Sequence, residues 1–157
     1  MKRFILILIT ILASAFVGAA QPKALGVRVG ADCQLSYEHN VRDCADFVEL
    51  DFGMQFLGLG WNAAGAYNFM VAQPQWTRRG EWGVYIGPAL KAGYMRIGGY
   101  LSAGFQAGME YTFSFPLQVS IDIRPAVGVA MEGRYFFIYG AEAVFGSIPC
   151  LSLRYRF

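Results

Sequence analysis

The single histidine of this 157-residue chain, His39, stands within three residues of a hydroxyl and a carboxylate, Ser36 and Glu38. A hydroxyl, an imidazole and an acid are the parts of a hydrolase that forms an acyl-serine, with the imidazole taking the hydroxyl proton. The spacing argues against that use. Successive side chains of a strand point to opposite faces, so Glu38 cannot orient His39 if a strand runs through both; the favoured reading is a solvated loop histidine. Without a second histidine, a histidine-rich metal site is excluded. Cys33, Cys44 and Cys150 do not have metal-site spacing. Cys33 and Cys44 are close enough in sequence to pair across a loop, the alternative being three unpaired thiols packed as small apolar groups. Gly98-Gly99 and the other glycine pairs lack the strand-to-helix setting of a nucleotide loop. No catalytic, cofactor-binding or metal-ligating set is expected.

The other residues with chemistry to offer are charged, and what they do depends on the elements that aim them. From Leu101 to Phe113 the odd positions are Leu, Ala, Phe, Ala, Met, Tyr and Phe, and the even ones are Ser, Gly, Gln, Gly, Glu and Thr. After Ser114-Phe115-Pro116 the alternation resumes, with Leu117, Val119, Ile121, Ile123, Val127 and Val129 facing away from Gln118, Ser120, Asp122, Arg124 and Gly128. Two such runs joined by so short a turn form an antiparallel hairpin. Strands of soluble sandwiches usually run about 5–6 residues, whereas a tilted bilayer-spanning strand needs roughly 9–11. The hairpin is therefore expected to span a membrane, apolar face to lipid and polar face to a lumen.

Residues 1–20 read as a signal peptide: Lys2-Arg3, an apolar core from Phe4 to Val17, and small residues Gly18-Ala19-Ala20 before Gln21. The remaining residues, 21–157, suffice for one barrel domain. With Lys2 and Arg3 set aside, eleven basic residues face eleven acidic ones, so the clustered basic surface of a nucleic-acid binder is not expected. The chain is 55% hydrophobic, yet beyond the signal no run reaches the eighteen or so apolar residues of a spanning helix. Lipid offers no partners to backbone groups, so strands cross it only in closed barrels. The expected fold is all-β, an eight-stranded antiparallel transmembrane barrel with up-and-down meander order.

Along the chain, alternation marks Ala24 to Glu38, then Val48 to Phe56, Trp61 to Met70, Trp82 to Tyr94, the long hairpin, and Leu151 to Phe157. Eight strands result if Ala24 to Glu38 is one strand and Tyr135 to Phe145 another. Eight also result if the first segment breaks near Gly30 to Asp32 and Tyr135 to Phe145 is a long loop. Unbroken alternation and strand length favour the first version. Pro88 and Pro125, which cannot donate to a ladder, are expected at bends or strand ends. Tyr37, Phe47, Trp61, Phe69, Trp82, Tyr94, Tyr111, Phe113 and Tyr155 lie near strand ends, as in the aromatic girdles of membrane barrels.

The final residues, Leu151-Ser152-Leu153-Arg154-Tyr155-Arg156-Phe157, resemble the terminal strand of bacterial outer-membrane barrels, which implies recognition by the barrel-assembly machinery. Phe115 to Pro125 resembles a hairpin of small outer-membrane β-barrel proteins of the Bacteroidetes type, and Leu35 to His39 and Val48 to Asp51 are similar to earlier strands of those proteins. That resemblance suits the second strand count and carries no defined activity. The leading expectation from the barrel reading is a non-enzymatic monomer in the cell outer membrane, in contact with lipid and lipopolysaccharide, with a structural, adhesive or envelope-interaction role. Two alternatives stand beside it: an outer-leaflet lipid-modifying enzyme, deacylase or phospholipase-like, using Ser36, His39 and a carboxylate, and a narrow passive pore.

Parity assigns Arg28, Asp32, Glu49, Asp51, Lys91, Glu110, Asp122, Arg124, Arg154 and Arg156 to the lumen. Eight strands enclose a space that side chains can just fill, and unpaired charges there suffer a large desolvation cost. Mutual pairing is expected, with Asp122 and Arg124 near the centre, plugging the barrel.

Overall fold

The computed structural model describes residues 23–41, 45–55, 60–96, 98–132, 135–140 and 144–157; residues 1–20, read as a signal peptide, lie outside them. Ten strands follow in order: β1 Lys23–Val29, β2 Asp32–Asn40, β3 Phe47–Gln55, β4 Gly60–Ala72, β5 Glu81–Met95, β6 Gly98–Thr112, β7 Leu117–Ile123, β8 Ala126–Glu132, β9 Tyr135–Tyr139 and β10 Cys150–Arg156. All pairings are antiparallel.

The ten strands make eight rows of wall. On β6, Ala107 faces Ile123 of β7 and Gly104 faces Ala126 of β8. Three residues separate the contacts on both sides, so β7 and β8 are one strand in one register, interrupted at Arg124-Pro125. Pro125 has no N–H to give the ladder, and the amide of Arg124 turns instead to the Gly146 carbonyl, 2.6 Å away. β9 pairs with β8 and β10 with β7, so β9 and β10 share the next row. Between them, residues 144–148 make one turn, closed by bonds from Ser147 N to Val144 O and Ile148 N to Phe145 O, each 3.1 Å. β10 then pairs with β1, and the ring closes as a meander of eight rows.

The closure is staggered. From Arg28, cross-strand partners lead through Gln34, Gly53, Asn62 and Gly93 to Tyr100 on β6. In the other direction they lead through Ser152 and Ser120 to Glu110 on the same strand. The arrivals differ by ten residues, Tyr100 against Glu110, and strands of a barrel sheared in this way tilt by about 35–45°. At the seam β1 and β10 approach so closely that a Cβ on Gly26 would stand 1.9 Å from the Leu153 carbonyl oxygen. Only glycine fits there.

Several expectations are corrected. Ala24 to Glu38 is two strands, β1 and β2, joined at Gly30-Ala31. The partners Val29 and Cys33, Arg28 and Gln34 each share parity, so alternation passes through the hairpin unbroken and cannot reveal it. Tyr135 to Phe145 is neither a full strand nor wholly a loop: it supplies β9 and the start of the following turn. Pro88 sits in the middle of β5, opposite Phe105 of β6, where the pairing with β4 skips from Ala89 to Ile86. The missing proline donor falls in that skip. Phe47 is not a girdle residue; it is buried inside the ring, with its ring edge-on to that of Tyr85 at 5.0 Å.

Candidate functional site: the charged lumen

Every row of the wall contributes polar side chains to the interior. Arg28 comes from β1, Asp32, Gln34, Ser36 and Glu38 from β2, and Glu49 and Asp51 from β3. Asn62 and Asn68 come from β4, Lys91 from β5, Ser102 and Gln106 from β6, Asp122 from β7, Arg124 from the β7–β8 break, and Arg154 from β10; all are buried. Period-two alternation explains the selection, because each is an inward position on its strand.

The hub is Glu49. Its Oε1 lies 2.8 Å from Arg154 Nη2, 3.0 Å from Arg124 Nη2 and 3.9 Å from Arg28 Nε. Its Oε2 accepts a hydrogen bond from Gln106 Nε2 at 3.0 Å. Around this carboxylate each arginine has a second anion: Asp51 at 2.7 Å for Arg124, Glu38 at 3.4 Å for Arg154, and Asp122, directly bonded, for Arg28. Arg154 also donates to Ser36 Oγ and Ser120 Oγ, both at 3.0 Å. Arg28 donates to Gln34 at 3.2 Å, and Gln34 in turn to Asn62. Charge-assisted bonds of this kind are the stronger class, and the guanidinium fork suits two acceptors at once.

The arrangement departs from the expected one in its centre. Asp122 pairs with Arg28 and Arg124 bridges two anions, but Glu49 alone is shared by three arginines. Parity tells which face a residue occupies and nothing of its height along the axis. Height follows from the ten-residue stagger, which brings β3 level with residues of β1 and β10 that lie far away in sequence.

The network has separate ends. Lys91 pairs with Asp32 at 2.6 Å beside the β1–β2 turn, where the two, with Arg28, Phe145 and Gly146, line a pocket of about 20 Å³. At the opposite end, near the chain termini, Gln118 Nε2 donates to both Glu38, at 3.1 Å, and Glu110, at 2.8 Å. Glu110 and Arg156 are only partly buried and line a polar cup of about 140 Å³ with Asn40, Gln73, Glu81 and Thr112. They belong to the mouth, not to the central network. Between the two ends the axis is filled by side chains.

Ser36 and His39 do not meet. Ser36 lies inside the ring, where its hydroxyl accepts from Arg154 and donates to Glu49 at 3.5 Å. His39 is on the other face of β2, its ring stacked over Tyr37 at 6.3 Å. A nucleophile and a base must be within hydrogen-bond reach, so this pair is no dyad. Cys33 is exposed on the outer face and Cys150 is buried, both as free thiols; Cys44 lies outside the described residues. Among the described residues no three His, Cys, Asp or Glu side chains are grouped to hold a metal ion.

Pairing of charges alone leaves out Glu38, which parity with Ser36 places inward, and the amides of Gln106 and Gln118, which lie on the polar face of the hairpin and donate to Glu49, Glu38 and Glu110. No protein-family model, curated protein or solved structure matches the chain.

Proposed function

We propose that the chain is a small integral outer-membrane β-barrel with a structural, adhesive or envelope-interaction role and a lumen plugged by its own ion pairs. One observation carries the reading: the molecule is inside out relative to a soluble barrel. Glu49 and Asn62 are 0% exposed and Arg154 1%, while Leu35 is 63% exposed, Leu90 61% and Phe52 58%. Water would drive the opposite sorting, whereas hydrocarbon around the ring accepts apolar side chains and rejects the polar ones.

The dimensions agree. Trp82 and Tyr94, near the two ends of β5, lie twelve residues apart, roughly 40 Å along the strand and about 30 Å along the axis after a tilt of 35–45°. The hydrocarbon core of a bilayer is about 30 Å thick. Exposed Phe69, Tyr155 and Phe157 share the Trp82 end, and Trp61 shares that of Tyr94. The likeness of Leu151 to Phe157 to a barrel-terminal strand, and of the hairpins to Bacteroidetes-type barrels, points the same way. A filled lumen supports a non-conducting barrel over a passive pore, and the separation of Ser36 from His39 supports a non-enzymatic role.

Heat-modifiable migration on a denaturing gel, β-rich circular dichroism and recovery in the outer-membrane fraction are the expected results. A freely soluble protein with a helix-rich spectrum would overturn the proposal.

A further inference from the structure

The segment between β4 and β5, residues 73–80, is clasped to the rim of the barrel. The Tyr111 hydroxyl donates to the carbonyl of Arg79, and Thr77 Oγ donates to the same carbonyl at 3.1 Å. Gly80 ends the segment at φ 82°, a left-handed conformation, where a Cβ would press on Thr112 O and the Tyr111 hydroxyl, each at 2.5 Å. The clasp aligns rings into a chain across the rim: Trp76 to Trp82 at 5.4 Å, Trp82 to Tyr111 at 4.8 Å, Tyr111 to Phe113 at 4.6 Å and Phe113 to Phe115 at 5.0 Å. The loop and the start of β5 themselves enclose an open pocket of about 620 Å³, whose lining includes Trp76, Arg78, Glu81 and Trp82. Arg78 and Arg79 are both exposed.

We propose that this loop binds the headgroup of an anionic phospholipid. The inference rests on the membrane reading above, which sets the aromatic chain at the boundary of hydrocarbon and water, the level of lipid phosphates. Indole and phenol rings have an apolar body and a polar edge and settle at that depth. Arg78, which lines the pocket, and the exposed Arg79 next to it in sequence bring guanidiniums to that level; each can grip phosphate oxygens as a fork, and the negative surface adds to the attraction. Glu81, in the same cavity, repels a bare anion and accepts from hydroxyl donors. That favours a headgroup with both a phosphate and free hydroxyls, of the phosphatidylglycerol kind. The clasp on Arg79 holds the loop in this form before any lipid arrives.

The chain has three tryptophans, and two of them are in this chain of rings, so Trp61→Phe leaves Trp76 and Trp82 as reporters. The full mature protein is reconstituted in phosphatidylcholine vesicles with a minority of phosphatidylglycerol, with the quenching bromine placed on the acyl chains of one lipid or the other. Quenching by brominated phosphatidylglycerol should exceed its bulk fraction, with an enrichment of about tenfold at low salt, and fall to the bulk fraction in Arg78→Gln/Arg79→Gln. Quenching in proportion to bulk composition overturns the headgroup site but leaves the barrel in its membrane. Enrichment that persists in the double variant also overturns it, since the preference then lies elsewhere. No quenching by either lipid refutes the membrane reading itself.

Discussion

Replacing Glu49 by glutamine keeps the shape of the hub and deletes its charge. Arg154 and Arg124 lose their partners at 2.8 and 3.0 Å, and Arg28 loses a weaker one at 3.9 Å. Removing one member of a buried ion pair costs about 3–5 kcal/mol. Each arginine here retains a second anion, Glu38, Asp51 or Asp122, so the expected loss is at the lower end, about 3 kcal/mol. Were the charges bathed in lumen water instead, the loss would be that of an exposed pair, about 0–1 kcal/mol. Urea unfolding in lipid vesicles, followed by tryptophan fluorescence and heat-modifiable migration, separates the two cases. With a slope of about 2 kcal/mol per molar, Glu49→Gln should lower the midpoint by about 1.5 M. A cycle with Arg154→Gln should show a coupling of about 1 kcal/mol or more between the two sites. A midpoint unchanged in Glu49→Gln together with zero coupling would refute the dry, paired interior.

In planar bilayers the wild type should show no large stable conductance, while Arg124→Ala, which vacates the space between Glu49 and Asp51, should leak; a conducting wild type would remove the plug. Glu110→Gln should leave stability unchanged or raise it by about 0.5 kcal/mol, measured by the same urea titration, because Glu38 and Glu110 are two carboxylates sharing one Gln118 amide. With Cys44 and Cys150 replaced by serine, Cys33 faces outward among the apolar residues of β2 and β3. In vesicles it should resist a charged maleimide and react once detergent dissolves the lipid; equal rates in both would place the outer face in water.

Much of this arrangement is legible in the sequence itself. Alternation from Leu101 to Phe113 and from Leu117 to Ile123 marks both the strands and the side each residue faces, because a strand's side chains repeat every two residues regardless of sequence context. Polar inward positions on nearly every strand then sort Arg28, Glu49, Asp51, Lys91, Asp122, Arg124 and Arg154 into one interior. Three things escape such a pattern. The β1–β2 turn hides because its partners share parity. The centre of the network depends on stagger, a property of the closed ring and of no single segment. Phe47 breaks the sorting by chemistry: an aromatic at an inward position, it packs against Tyr85 and fills volume where a charge would lack a partner.

The seam also governs the order in which the molecule can be made. Arg154 reaches Ser36 across 118 residues of chain and Arg28 reaches Asp122 across 94, so neither bond can form until the first and last strands have met. Contacts so distant in sequence give no reward early in folding, when the entropy of bringing the ends together must already be overcome. A strand that slips by one residue turns its whole inward set outward, and a misaligned β3 would turn Glu49 and Asp51 onto the apolar outer face while leaving three guanidiniums without their shared anion. Misregistered barrels are thereby penalised at the closing step, while the chain can still reopen and try again. On this reasoning a polar interior tests register as the ring closes, and variants at Glu49 should close slowly and accumulate as open or aggregated forms.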